Sequence, residues 1–264
     1  FVTTTGRNDW ASQLANSSTS SFFYPSVGLS GVISEMIQMP SFIDYMKVRG
    51  SFSSVGMPYP RNLTSPTYEY NEATQSWKPK THYPIGDLKP ERTDSWEVGL
   101  DMKLFKDFNL GLSWYLANTF NQTFDPQISV SSGYTTIYLQ TGYVRNTGLE
   151  LSLGYGHTWN NNFRWDSNFT LSHNKNKIKE LVRDYVHPET GELINKDRLD
   201  VGGLGKARFI LKEGGTLGDL YTQSDLKRDD NGMVDIDPTG IVAIENNLPD
   251  IKLGSVFPKA NLAW

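Results

Sequence analysis

The dominant pattern along the chain is an alternation of apolar and polar residues, the period of a β-strand whose two faces meet different surroundings. Between Trp96 and Leu104 every even-numbered residue is apolar and every odd-numbered residue is polar or glycine. After a three-residue break the apolar positions return from Phe108 to Leu116. Because so short a connection joins neighbouring strands, the two segments predict an antiparallel hairpin.

A second hairpin follows the same rule. Leucine or tyrosine alternates with small or polar residues from Leu149 to Gly156, and the apolar residues Phe163, Trp165, Phe169 and Leu171 alternate with polar ones up to Ser172. The intervening Asn160-Asn161-Asn162 suits a turn, because asparagine tolerates left-handed backbone. Weaker strands are predicted at 24–33, 44–54 and 257–264. With the opening residues as the end of another, the chain supplies about eight strands.

The predicted strands and connections have the proportions of a membrane barrel. Strands of about 10–14 residues, tilted by about 45°, cover roughly 23 Å, close to the height of an outer-membrane apolar band. Short connections (105–107, 157–162) alternate with long ones (55–91, 119–142, 176–256). Aromatic residues beside the short turns fit an interfacial girdle: Phe105, Phe108, Trp159, Phe163 and Trp165. The pattern therefore predicts an all-β, antiparallel transmembrane barrel segment.

Charged side chains share the polar face of these strands, where a water-filled lumen tolerates them and hydrocarbon does not. A lumen charge network is expected from Glu97, Asp101, Lys103, Glu150, Arg164 and Asp166, with Lys47 and Arg49 on a further strand.

Two other folds are compatible with the same alternation. In a soluble sandwich the apolar residues Leu100, Leu112, Leu151 and Phe169 would pack against a second sheet. In an intact small barrel, enzyme or adhesin, residues 1–5 would pair with residues 257–264. A packed core at these four residues would therefore indicate the sandwich, and pairing between the two ends of the chain would indicate the intact small barrel.

Composition excludes several functions. The chain has 264 residues, no cysteine and a net charge of −4 without long charge runs, which argues against thiolate chemistry and against nucleic-acid backbone binding. Its four histidines lack metal-ligand spacing, and no Gly-x-Ser-x-Gly elbow, phosphate loop or dinucleotide fingerprint occurs. The acid pair Glu97 and Asp101 belongs more naturally to a charge network than to glycoside hydrolysis. No enzymatic activity and no cofactor are expected.

Short motifs in a fixed order carry a family resemblance. They run along nearly the whole chain: Gly6-Arg7-Asn8-Asp9-Trp10, Phe23-Tyr24-Pro25-Ser26, Ser34-Glu35-Met36, Lys47-Val48-Arg49-Gly50-Ser51, Leu88-Lys89-Pro90-Glu91-Arg92, Ser95-Trp96-Glu97-Val98-Gly99, Arg145-Asn146-Thr147-Gly148-Leu149-Glu150, Asn174-Lys175-Asn176, Glu213-Gly214-Gly215 and Pro258-Lys259. In these motifs the chain resembles the C-terminal part of the barrel in the SusC/RagA family of TonB-dependent outer-membrane transporters.

The resemblance implies a 22-strand barrel with an N-terminal plug, of which residues 1–264 are one barrel segment without the plug and the TonB box. Both ends of the sequence look cut, so a piece of a longer protein is expected. The implied function is TonB-dependent import of oligosaccharides or oligopeptides across a Gram-negative outer membrane. The implied partners are the rest of the barrel and plug, a SusD-like lipoprotein lid, the TonB complex, outer-membrane lipid and the cargo. The alternative is a soluble carbohydrate-binding β-sandwich module.

Two further groups are candidate ligand contacts. Flat rings in the long connections can stack on sugars or pack on peptides, or instead fold the loops together: Tyr68, Tyr70, Trp77 and Tyr83 in the first, and Tyr134, Tyr138 and Tyr143 in the second. Asp229, Asn231 and Asp235 resemble part of a calcium loop around Gly232. Because Lys227 and Pro238 occupy the terminal ligand positions, a plain turn is the preferred interpretation and no metal site is predicted.

Overall fold

The chain folds almost entirely into antiparallel strands. The computed structural model describes residues 1–14, 17–57, 69–78, 82–83, 89–124, 134, 136–159, 163–186, 191, 193–257 and 260–263. In chain order the strands are β1 (Val2–Trp10), β2 (Ser21–Val32), β3 (Ile43–Met57), β4 (Glu69–Asn71), β5 (Ser76–Lys78), β6 (His82–Tyr83), β7 (Glu91–Leu104), β8 (Phe108–Phe124), β9 (Thr136–Ile137), β10 (Leu139–Trp159), β11 (Phe163–Glu180), β12 (Val182–Val186), β13 (Leu193–Lys196), β14 (Arg198–Leu204), β15 (Ala207–Lys212), β16 (Asp219–Leu226), β17 (Ile244–Ser255) and β18 (Ala260–Ala263). A 3₁₀ turn (Ser12–Leu14) and one helical turn (Ile33–Met36) lie in connections.

Eight strands form one sheet, in the order β1-β2-β3-β7-β8-β10-β11-β18. Every neighbouring pair in this sheet is antiparallel. Within the described ranges β1 and β18 are the two ends of the sheet and do not pair with each other. The sheet is an open barrel segment, which confirms the predicted fold class. The intact small barrel is therefore wrong.

The two faces of this sheet are set by its register, because directly opposed residues point to the same side. One ladder crosses six strands and is entirely apolar: Val48, Leu100, Leu112, Leu151, Leu171 and Leu262. One residue along each strand lies a second ladder that is polar or glycine: Ser30, Arg49, Gly99, Ser113, Glu150, Ser172 and Asn261. We call the sides that carry them the apolar face and the polar face.

Nothing in the described part of the chain covers the apolar face as a second sheet would. Leu100, Leu112, Leu151 and Phe169 are half-buried, and the buried clusters of the described residues include none of them. Their neighbours Val98, Trp114 and Leu153 are 53%, 41% and 43% exposed. The sandwich predicted a packed core at these positions, so that alternative is wrong.

We call the eight-stranded sheet the wall. Its strands are longer than the sequence pattern predicted. β10 spans 21 residues and β11 spans 18, where segments of 10–14 were expected. The predicted loop 119–142 is wrong at both ends, since β8 continues to Phe124 and β10 begins at Leu139. Backbone pairing needs no apolar side chains, so the ladder continues into polar residues where the alternation stops.

The third long connection is folded. Between β11 and β18 it contains the β12–β13 hairpin and a four-stranded sheet ordered β14-β15-β16-β17, which we call the loop sheet. A buried cluster joins it to the wall: Ile137, Val144, Ile178, Leu181, Val182, Leu199 and Leu211. Ile178 also exchanges backbone hydrogen bonds with Gly214 and Gly215. This connection is therefore a packed unit attached to the wall.

Aromatic rings concentrate at the end of the sheet that carries the short turns. Ring centroids lie 5.7 Å apart for Phe42 and Phe105, 4.8 Å for Phe108 and Tyr155, and 5.6 Å for Trp159 and Phe163. The five predicted girdle residues are between 44% and 62% exposed. No helix among the described residues is long and apolar enough to cross a bilayer.

Candidate functional site: the polar face and the loop aromatics

Arg49 is the centre of the charge cluster on the polar face. It lies on β3, and its guanidinium donates from Nη2 to Glu97 Oε1 at 3.0 Å and from Nη1 to Asp101 Oδ2 at 3.2 Å. Nη2 also donates to the Ser113 hydroxyl at 2.5 Å. One arginine thus joins two strand β7 carboxylates and a strand β8 hydroxyl.

Glycine at position 99 makes this arrangement possible. Gly99 is directly opposite Arg49, and a Cβ built on it would lie 2.5 Å from Arg49 Nε. The arginine side chain therefore lies across the bare backbone to reach Glu97 and Asp101. Since all three charged side chains are between 37% and 45% exposed, solvent screens the pairs and their direct contribution to stability is about 0–1 kcal/mol.

Glu150 lies beside this cluster. A cavity of about 310 Å³ on the polar face is lined by Arg49, Asp101 and Glu150, together with Gly111, Ser113, Ser152 and Ser172. Small side chains and glycine around three charged groups leave room for another polar group to approach. The structure thus brings together three predicted network residues, namely Glu97, Asp101 and Glu150.

The other three predicted network residues lie elsewhere. Arg164 and Asp166 form their own pair near the end of the sheet where Trp159 lies opposite Phe163, with Arg164 Nε to Asp166 Oδ2 at 2.6 Å. Lys103 lies opposite Asn109 and Tyr45, and it takes part in none of the ion pairs formed by the described residues. The polar face therefore carries one central cluster and one separate pair near the short turns.

The sequence analysis placed Arg49 on this face without making it part of the network, and it missed Ser113. Alternation alone shows which face a residue occupies but not how far two strands are shifted along each other. The opposite charges of Arg49 and of Glu97 or Asp101 were the available signal, because an arginine fork favours two carboxylates.

Two loop aromatics form an exposed pair. Tyr70 on β4 lies opposite Trp77 on β5, with ring centroids 5.0 Å apart. The two residues are 46% and 65% exposed. A tilted, accessible pair of rings can stack on a sugar face or pack against an apolar side chain.

The remaining loop aromatics are placed differently. Tyr134 packs against the buried cluster that attaches the loop sheet, and Tyr138 packs against Leu14. Tyr143 stacks on Phe120 with centroids 4.9 Å apart. Tyr68 lies outside the described residues, while Tyr83 belongs to β6, which pairs in parallel with β9. Tyr134, Tyr138 and Tyr143 therefore hold loops and strand ends together.

The candidate calcium residues are engaged in a turn. Asp229 Oδ1 accepts hydrogen bonds from the backbone nitrogens of Asn231 and Met233, each at 2.9 Å. Asp235 Oδ2 pairs with Lys227 Nζ at 2.8 Å. No group of three or more histidine, aspartate or glutamate side chains in the described ranges is arranged to hold a metal ion. These contacts are those of a plain turn.

An open antiparallel sheet with one apolar and one charged face defines a segment of a membrane-type β-barrel. The sequence profile described as "TonB dependent receptor-like, beta-barrel" matches residues 1–240. The chain belongs to this family, and the family implies an outer-membrane location. The predicted recognition of a TonB-dependent barrel is confirmed.

Curated relatives come from Formosa agariphila. The chain is 28% identical to its TonB-dependent receptor P39 over 211 residues, covering 77% of this chain and 18% of that protein. It is 27% identical to TonB-dependent receptor P26 over 223 residues, covering 81% and 22% respectively. The chain thus spans about a fifth of the length of these relatives.

Solved structures share the fold. A structure of the RagAB peptide transporter superposes with a TM-score of 0.71 at 19% identity, covering 99% of this chain and 29% of that one. The "closed-closed" state of the RagAB peptide importer gives a TM-score of 0.69 over 98% of this chain. At this identity the superposition shows a shared barrel fold.

Proposed function

We propose that this chain is a wall segment of a TonB-dependent outer-membrane importer of oligopeptides or oligosaccharides. The observation that supports it most directly is the pair of adjacent ladders, one apolar across six strands and one polar across seven. In a barrel the first faces lipid and the second faces the lumen. The work is passage of cargo, and no bond chemistry is assigned to it.

The open edges support a larger assembly. Unpaired backbone groups at β1 and β18 would cost several kcal/mol each in hydrocarbon, so further strands are needed on both sides. We propose that residues 1–264 form one segment of such a barrel, which also encloses a plug. The charge cluster around Arg49 then lines the lumen, where it meets the plug or passing cargo.

The folded loops define the outer mouth in this proposal. The loop sheet and the β4–β5 hairpin extend from the end with the long connections, where a SusD-like lipoprotein would close over the cargo. The similar RagAB structures are those of a peptide transporter, which makes peptides a reasonable first cargo to test. TonB coupling would act through the plug.

The experiment uses the full-length protein in the outer membrane of its own cell. Uptake of a labelled oligopeptide mixture and of a labelled oligosaccharide mixture is measured with TonB present and with TonB deleted. We expect uptake of one mixture to require both this protein and TonB. Uptake that persists without TonB, or a protein absent from the outer-membrane fraction, would contradict the proposal.

Trp77 offers a test of the loop contact. Trp77→Ala removes the more exposed ring of the Tyr70–Trp77 pair, so we expect about a twofold to tenfold weaker cargo affinity, since one stacked ring contributes about 0.5–1.5 kcal/mol. Glu72→Ala on the same hairpin is the matched control, because it leaves both rings in place. Unchanged cargo binding with lost lid association would assign the ring to the lid contact instead.

A further inference from the structure

A row of basic residues follows the apolar face of β11 towards the long connections. His173, Lys175 and Lys177 alternate along the strand, and we call them the basic column. His173 lies opposite Leu149 and Lys175 opposite Thr147, without a register shift in this stretch. The basic column therefore shares the face that carries Leu171, away from the polar face.

The basic column begins where the apolar residues of β11 end. Phe169 and Leu171 precede His173 on the same face of β11. At about 3.3 Å per residue, Lys175 lies roughly 13 Å beyond Leu171 along the strand. In a bilayer this step leads from hydrocarbon into the headgroup layer of the leaflet on the side of the long connections.

The charges of the column lack carboxylate partners in the described part of the chain. Neither Lys175 nor Lys177 takes part in the ion pairs found there, and Arg145 lies directly opposite Lys177. Arg145 donates from Nε to Asn118 Oδ1 at 2.9 Å and keeps its charge beside the column. The nearby Asp219 carboxylate is held by Lys252 Nζ at 2.5 Å. The surface is thus strongly positive.

A cavity adjoins the column. It encloses about 760 Å³ and is lined by His173, Lys175 and Lys177, with Thr216, Ser255 and Phe257. Asn174, Asn176, Lys252 and the Asp219 carboxylate that Lys252 holds also line it. Cationic and hydroxyl groups next to an aromatic ring suit an anionic headgroup that continues into an apolar chain. A volume in this range is typical of small-ligand sites.

We propose that the basic column binds the phosphate groups of outer-leaflet lipid. The inference rests on the proposed function, because it requires the apolar face to contact the bilayer. Lipid is the expected ligand because the basic column lies on the same side of the sheet as the apolar residues. An anionic cargo would instead meet the polar face. Lysines at this level attract anionic headgroups, and the cavity fixes where one headgroup lies.

The test uses the full-length transporter in detergent. It is titrated with phosphatidylglycerol and, separately, with neutral phosphatidylcholine, and native mass spectrometry counts the lipids bound. We expect Lys175→Gln/Lys177→Gln to reduce phosphatidylglycerol affinity about thirtyfold, from the attraction of two lysines, and to leave phosphatidylcholine affinity unchanged. The control variant Lys206→Gln/Lys227→Gln loses the same charge, between β14 and β15 and just after β16. It should bind both lipids as wild type does.

Three outcomes would overturn the inference: equal phosphatidylglycerol affinity in wild type and the column variant, an equal loss in the loop control, or full competition by inorganic phosphate, which would indicate a site for free anions. Folding is checked by the heat-induced mobility shift of the barrel. A wild-type protein that forms no membrane barrel contradicts the proposed function itself. A folded barrel with unchanged lipid binding contradicts the basic column alone.

Discussion

Two glycines on the polar face, Gly148 and Gly99, are positions where a large side chain crosses from the next strand. A Cβ on Gly148 would lie 2.2 Å from Tyr115 Cζ, and one on Gly99 would lie 2.5 Å from Arg49 Nε. Tyr115 thereby covers the backbone of β10, and its hydroxyl donates to Asn174 Oδ1 at 3.3 Å. At the scale of single residues, the Trp-Glu-Val-Gly and Asn-Thr-Gly motifs reserve space for these crossings.

Gly148→Ala should therefore destabilise the barrel by about 1 kcal/mol or more, because the new methyl group would overlap the Tyr115 ring and force it to move. Thermal unfolding of the full-length protein measures the change. Gly50→Ala is the matched control, since the nearest heavy atom to its built Cβ is 3.9 Å away. In a Tyr115→Ala background the Gly148→Ala effect should nearly disappear, and an undiminished effect there would contradict the steric explanation.

The face of the sheet on which each of these residues lies could be predicted from the sequence, but the residues that they contact could not. The alternation placed Glu97, Asp101 and Glu150 on one side correctly, because a period of two depends only on local backbone geometry. The contact between Arg49 and Ser113 depends on the shifts of three strands relative to each other. Those shifts are fixed by pairing along the entire sheet.

Among the elements, the four strands of the loop sheet are linked by the carboxylate of Asp250. Asp250 on β17 pairs with Arg198 on β14 and Lys212 on β15, each at 2.9 Å, and accepts a bond from Gln223 on β16. Hydrogen bonds from Arg198 and then Lys212 hold the pKa of Asp250 well below its usual range. One side chain thus links all four strands.

The loop sheet should consequently loosen in acid. A carboxyl whose pKa is depressed by folding stabilises the fold above its unfolded pKa of about 3.9, and this stabilisation is lost as the pH falls from there towards the folded pKa. Asp250→Asn should remove about 1–3 kcal/mol at neutral pH and most of the acid dependence. Hydrogen exchange of the β15 and β16 amides, referenced to the wall strands, measures both.

Asp230→Asn is the control for this prediction, because Asp230 lies exposed in the turn before Gly232. An Asp250→Asn protein whose loop sheet exchanges as slowly as wild type at pH 7 would contradict the assigned role.

The loop sheet was not predicted from the sequence. Its buried residues, such as Ile210 and Leu211, are adjacent in sequence and follow no sustained alternation, so no strand was predicted between 176 and 256. The core there forms only when β15 meets β10 and β11, which are distant along the chain. Long strands with one face in lipid carry a local signal, and short strands in a mixed core do not.

For the whole molecule, the two ladders predict opposite surroundings for neighbouring residues. These 264 residues contain no cysteine, so single thiols can be introduced at Leu112 and at Ser113, one on each face of β8, in a full-length protein from which any cysteine elsewhere has been removed. In the full-length barrel in vesicles, a nitroxide on Leu112→Cys should be relaxed mainly by oxygen, which concentrates in hydrocarbon. One on Ser113→Cys should be relaxed mainly by a water-soluble nickel complex.

The neighbouring strand provides the matched pair, since Leu151 lies opposite Leu112 and Glu150 opposite Ser113. Leu151→Cys should therefore repeat the Leu112→Cys result, and Glu150→Cys the Ser113→Cys result. A soluble fold would give Leu112→Cys no preference for the lipid-phase reagent. Equal relaxation of the two β8 positions would mean that the ladders do not separate lipid from water. It would contradict both the proposed place of the Arg49 charge cluster in the lumen and the proposed binding of lipid by the basic column.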